Sequence, residues 1–195
     1  MMEDKVTDAF EMFEKDGQVI FLQQQAIYRQ LAREVEGSTV VEAGCGIGVG
    51  AAMMNQTARS VHGSDKSERN VRFARCVYPW LSFFVWDITK NKVGPYEVVV
   101  AVEVIEHVND IERAVHNLRD SAVHEIWIST PNGTNKPLVP ENPLHVREYT
   151  PEEICLWMRP YDVTIHHPDT WEILNTDTDV DPLVYHVWKQ DRIRS

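Results

Sequence analysis

Val40-Val41-Glu42-Ala43-Gly44-Cys45-Gly46-Ile47-Gly48 is the stretch on which the fold turns. A short β-branched run reads as a strand. It ends in an acidic residue followed by three alternate glycines, and an Ala/Met-rich helix opens at about Val49. Glycines in such a loop permit a tight turn and a close approach of backbone to ligand. Dinucleotide sites place a phosphate over this kind of loop, where the carboxylate of Glu42 would repel it. Glu42 therefore favours a ligand that carries positive charge or a free amino group.

Outward from this loop, strands and helices alternate. Strands are expected at Thr39–Glu42, Ser60–Gly63, Leu81–Trp86, Tyr96–Val104 and Glu125–Ser129, with helices over Val49–Ala58, Glu68–Val77 and Asp110–Arg119. Thr150-Pro151-Glu152-Glu153 carries a capping box with proline at the first helical position, so another helix starts there. Val163–His166, Trp171–Leu174 and Leu183–Trp188 are late strand candidates. The first 37 residues read as helix in two pieces broken near Asp16-Gly17. Phe10 and Phe13 share one face, and Ile27, Leu31 and Val35 form a second apolar stripe. The expected architecture is α/β: a Rossmann-like three-layer sandwich whose mostly parallel seven-stranded sheet ends in an antiparallel edge hairpin. One domain accounts for residues 1–195, with 1–37 as a helical cap and 38–195 as the core.

The chain has 195 residues, 43% of them hydrophobic, and a net charge of −11. Such an acidic balance gives no general attraction to a polynucleotide, which is bound by clustered Lys and Arg. The three cysteines, Cys45, Cys76 and Cys155, include no CxxC pair. Disulfide and zinc readings are therefore weak, and a reducing cytoplasm is the default. The N-terminal segment has no signal-like apolar core, and no apolar stretch approaches the ~20 residues that span a bilayer.

Ligands on parallel sheets bind beyond the carboxyl ends of the strands. Here those ends carry Glu42, Asp65, Asp87 and Glu103. Each alone has a structural explanation: Asp65 as a cap near Ser67, Asp87 in a turn before Asn91. At matching positions after successive strands, the four favour a shared ligand. Asp65 lies 21 residues after Gly44, the spacing at which Rossmann-like sites hold ribose hydroxyls.

The Glu-x-Gly-x-Gly-x-Gly loop, His62-Gly63-Ser64-Asp65-Lys66-Ser67, Trp86-Asp87-Ile88 and Glu103-Val104-Ile105-Glu106-His107-Val108 occur in that order. Together they resemble class I S-adenosylmethionine-dependent methyltransferases, over about residues 38 to 160. The resemblance implies S-adenosylmethionine as cofactor. Glu42, Gly44, Cys45, Gly46 and Gly48 would form its loop, with Glu42 near the methionine end. Asp65, with Lys66 beside it, would take the ribose hydroxyls. Asp87 would accept from the adenine amino group, Ile88 would pack on the adenine face, and Glu103 would mark the strand end where the methyl points. Tyr28, on the N-terminal helix, is placed to close over the methionine end.

His107 and His145 are the candidate catalytic groups. Imidazole titrates near neutral pH, His107 follows the fourth strand, and His145 lies in a long Pro/Asn-rich loop of the kind that often covers a site. The leading reading is transfer of a methyl group to a small-molecule or sugar acceptor, at oxygen, without a metal. A second reading takes Glu103, Glu106, His107 and His145 as a divalent-metal set. That set resembles the centre of small-RNA 3′-end 2′-O-methyltransferases. A third is a non-catalytic module with the same fold, which would have no need of four acidic strand ends. Arg69, Arg72 and Arg75 read as a solvated helix face, Met53 and Met54 as core, and His166-His167 as a surface strand end.

Overall fold

The computed structural model describes residues 18–134 and 144–189. The Phe10/Phe13 face, the Asp16-Gly17 break and residues 135–143 of the long loop, with Asn142-Pro143, lie outside them. In chain order the elements are α1 (Gln18–Glu34), β1 (Thr39–Ala43), α2 (Val49–Met54), β2 (Ser60–Asp65), α3 (Glu68–Val77), β3 (Ser82–Val85) and β4 (Tyr96–Val102). There follow a 3₁₀ turn (Ile105–His107), α4 (Ile111–Ser121), β5 (Ala122–Thr130), α5 (Pro151–Met158), β6 (Asp162–His166), β7 (Ile173–Leu174) and β8 (Leu183–Trp188).

All strands join one sheet in the order β3-β2-β1-β4-β5-β8-β6-β7. The pairs from β3 to β5 are parallel, and β8 runs antiparallel between β5 and β6. Among the described residues the sheet thus has eight strands, one more than the seven expected. The two-residue β7 forms the edge hairpin with β6. The expected strand at Trp171–Leu174 is shorter because Trp171 has a left-handed backbone, φ 62°, which no regular strand accommodates.

Side chains alternate across each strand, and the two apolar faces are covered separately. Val40, Val98, Val100 and Trp127 face Ile27 and Leu31 of α1 with Val35 just after it, Ala51 and Met54 of α2, and Val71 and Ala74 of α3. Val41, Val99, Ala101, Ile126 and Ile128 face Ala114, Val115 and Leu118 of α4 and Ile154 and Met158 of α5. The helix starts follow local chemistry. Ser67 caps α3 through the Asn70 N–H, Asp110 caps α4 through the Arg113 N–H, and Thr150 with Glu153 completes the capping box of α5.

β3 ends one residue short of its expected bound, and β4 and α2 end shorter still. β4 stops at Val102 because Glu103 turns left-handed, φ 53°. α2 stops at Met54, and Met54 is fully buried while Met53 packs at the margin of the same cluster. Among the described residues no helix is long and apolar enough to cross a membrane.

Leu31 is fully buried between α1 and the sheet. Leu31→Ala is expected to lower unfolding free energy by about 2–5 kcal/mol, read from the urea midpoint at unchanged slope.

Candidate active site

The carboxyl ends of β1, β2 and β4 meet at one edge of the sheet, because β1 lies hydrogen-bonded between the other two. The β1 loop starts with Gly44 at φ 68°, where a Cβ would come within 2.5 Å of Val104. The loop is therefore closed down onto the segment that follows β4. Its N–H groups are partly organised by Asp65: Oδ2 accepts from the Gly46 N–H at 3.0 Å and Oδ1 from the Ser67 N–H at 2.7 Å. Asp65 thus ties the end of β2 to the glycine loop. Lys66, next to it, is exposed. Cys45 is buried, and burial pushes its thiol far up, so it stays protonated.

Glu42 has no solvent exposure. Its Oε1 accepts from the Tyr28 phenol at 2.6 Å, and Oε2 has no hydrogen-bond partner. Burial raises its pKa to about 7, although the Tyr28 hydrogen bond and the Ala51 backbone N–H pull the other way. An acid with one unsatisfied buried oxygen suits a cationic or ammonium-bearing ligand, which repays the desolvation that Glu42 now bears. Gly50 is part of this arrangement, and no reading of the loop up to Gly48 includes it. A Cβ there would collide with Glu42 Oε1 and the Tyr28 ring. The signal was available, since the alternation of glycines continues one step into the helix.

Asp87 accepts from both the backbone N–H and the hydroxyl of Thr89 through Oδ1, and the hydroxyl chiefly holds its carboxyl below the usual range. Ile88 is buried in the α4-side cluster, and its carbonyl accepts from Asn117. Glu103 sits in the left-handed backbone just past β4, with Oε1 accepting from the Ser129 hydroxyl at 2.6 Å.

The segment after β4 gathers a second group. Glu106 is fully buried, and Oε2 accepts from Thr130 at 3.1 Å while Oε1 has no hydrogen-bond partner. Burial first, then the nearby charge of Glu103, raises its pKa well above the usual carboxylate range. His107 Nδ1 lies 2.9 Å from the Leu144 carbonyl. A carbonyl only accepts, so Nδ1 carries the proton and Nε2 presents a lone pair. Burial lowers the His107 pKa, which keeps the ring neutral. His145 stands edge-on to it, ring centroids 4.9 Å apart, with Nδ1 3.0 Å from Glu148 Oε1. The strap that carries Leu144 and His145 is anchored by the Val146 N–H to the Glu106 carbonyl at 2.8 Å.

Glu106, His107 and His145 each bring one donor atom within 4.8 Å of the others. Glu103, the fourth residue of the set read from the sequence, is not in that trio. His166 also departs from its expected place. It is buried beneath Trp171 and beside Trp127, with Nδ1 3.2 Å from the Trp171 carbonyl. His166-His167 is therefore not a surface strand end. The β6–β7 turn folds Trp171 back to stack on Trp127, centroids 5.5 Å apart.

Residues 18–167 match the model of a methyltransferase-domain family, and the chain belongs to that family. It is 33% identical over 146 residues to a probable S-adenosylmethionine-dependent methyltransferase of Mycolicibacterium smegmatis, covering 69% of this chain and 55% of that protein. It is 28% identical over 89 residues to a ubiquinone biosynthesis O-methyltransferase of Bordetella avium, covering 42% of this chain and 37% of the other. The chain spans about half the length of the first of these relatives. The magnesium protoporphyrin IX methyltransferase of Synechocystis, solved with bound S-adenosylmethionine, shares the fold. Its TM-score is 0.67 at 18% identity, over 94% of this chain and 90% of that one.

Folding raises the Glu42 pKa from its ordinary 4.5 to about 7. The native state therefore keeps a proton that the unfolded chain releases. This contribution is fully present below the unfolded value and is lost as pH rises through about 7. The melting temperature of the wild type relative to Glu42→Gln should fall between about pH 5 and about pH 8. Gly50→Ala, which drives a methyl group into Tyr28 and Glu42, should destabilise by roughly 1–3 kcal/mol, read by chemical denaturation.

Proposed function

We infer that this chain is an S-adenosylmethionine-dependent methyltransferase that methylates an oxygen of a small-molecule or sugar acceptor. The family supports the cofactor and the reaction class. The residues present fit that cofactor: a buried carboxylate with an unsatisfied oxygen at Glu42, and further acids at Asp65, Asp87 and Glu103 along the same strand ends. When bound, S-adenosylmethionine supplies a methyl group already activated by its sulfonium. The chain's own contribution is to bind, to align the acceptor and to take a proton.

The observation that carries the oxygen reading is the tautomer of His107. Its Nδ1–H is committed to the Leu144 carbonyl, so the neutral ring directs a lone pair from Nε2 and accepts a hydroxyl proton. The lowered pKa of His107 leaves the base unprotonated below the usual imidazole range. The acidic limb of kcat/KM should accordingly fall below pH ~6.5. His107→Ala should reduce kcat by about 10²–10⁴-fold, and Asp65→Ala should abolish or severely weaken S-adenosylmethionine binding in calorimetry. A wild type that binds no S-adenosylmethionine would sink the reading. A methylation screen over metabolite, sugar, nucleotide and RNA pools identifies the acceptor.

A second reading is favoured by the Glu106, His107 and His145 trio. Its mixed nitrogen and oxygen donors suit a divalent ion, and the His145–Glu148 contact supplies the carboxylate partner that metal-ligating histidines commonly have. This corresponds to the RNA 2′-O-methyltransferase alternative, which the net charge of −11 disfavours. Activity lost to a chelator and restored by magnesium or manganese, together with RNA as the labelled pool, would select it. Activity indifferent to the chelator eliminates it.

A further inference from the structure

We propose that Ser129, near the end of β5, is a positioning residue for cofactor binding: it holds the Glu103 carboxylate on the Tyr28–Glu42 side of the sheet. The proposal rests on the reading of the Glu42–Gly48 loop and Glu103 as the cofactor site.

Glu103 makes two contacts to this one residue. Its backbone N–H donates to the Ser129 carbonyl at 2.9 Å, and its Oε1 accepts from the Ser129 hydroxyl at 2.6 Å. Main chain and side chain are thereby closed into a ring across β4 and β5. Glutamate at φ 53° is strained, and a non-glycine residue stays in that region only where its surroundings over-determine it. Ser129 has 1% exposure, so water does not substitute for its hydroxyl.

The next residue does the opposite job. Successive strand side chains point to opposite faces. Ser129 shares its face with Trp127 and pairs with Val184, both in the α1-side cluster. Thr130 shares its face with Ile128 and pairs with Leu183, both in the α4-side cluster. Thr130 donates to Glu106 Oε2. Two carboxylates three residues apart are thus drawn to opposite faces by two adjacent hydroxyls. Glu103 lies close enough to Tyr28 for its charge to add to the raised pKa of that phenol. The 3₁₀ turn from Ile105 to His107 then begins with the Glu103 side chain already committed to the other face.

The test is calorimetric titration of S-adenosylmethionine into the full chain and its variants, with melting temperatures as a control for folding. Ser129→Ala is expected to raise Kd about tenfold, the worth of one charged hydrogen bond. In Glu103→Gln the same serine should matter little. The double variant should therefore bind no more weakly than Glu103→Gln alone, a coupling that mere loss of packing does not produce. Thr130→Val should leave Kd within about twofold. Ser129→Ala within twofold of the wild type while Glu103→Gln weakens binding would overturn the proposal. Strictly additive Ser129 and Glu103 effects would overturn it too, as would a Thr130→Val loss as large as that of Ser129→Ala. No effect of Glu103→Gln would show instead that the reading of Glu103 as a cofactor residue had failed, and the proposal with it.

Discussion

The hydrogen bond from the Tyr28 phenol to the Glu42 carboxylate is the contact through which the rest of the site is organised. It joins the helix before the sheet to the end of the first strand, 14 residues on, and both partners pack against Gly50 in the helix after the glycine loop. Gly50 shows how close the fit is, because no side chain larger than hydrogen passes between ring and carboxylate. Burying an acid this deeply costs free energy. Glu42 meets that cost partly by holding a proton and partly through the phenol. One oxygen, Oε2, is left without a hydrogen-bond partner, the kind of site at which a positively charged ligand would recover the rest.

Beyond β4 the chain solves a charge problem. Glu103 and Glu106 lie three residues apart with His107 adjacent, and ordinary strand or helix geometry would leave the two acids to repel each other at close range. The left-handed backbone at Glu103, the 3₁₀ turn after it and the hydroxyls of Ser129 and Thr130 give each acid its own partner, and Glu106 answers the remaining repulsion with a raised pKa. The result is one face with Tyr28, Glu42 and Glu103 and another with Glu106, His107 and His145. The two are divided by the tail of β5.

Much of the fold was legible in the sequence because its signals are local. β-branched runs alternate with helical stripes, and caps such as Thr150 with Glu153 are written within four residues. The boundaries that differ have tertiary causes. Glu103 leaves the strand pattern because Ser129, on another strand, captures it. Trp171 leaves its strand because Trp127 stacks against it. His166, polar and next to a second histidine, reads as surface, but the turn that follows folds an indole over it.

The site divides in the same way. By itself the sequence determined the class of fold, the four acidic strand ends and the segment carrying His107, since spacing and residue type suffice for these. Only the tertiary structure decided which acids face which way, that Glu106, His107 and His145 bring donor atoms within 4.8 Å of one another, and that His107 carries its proton on Nδ1. These are properties of distance and burial between residues up to tens of positions apart. The Leu144 carbonyl selects the His107 tautomer across a separation of 37 residues, and no pattern along the chain records that contact.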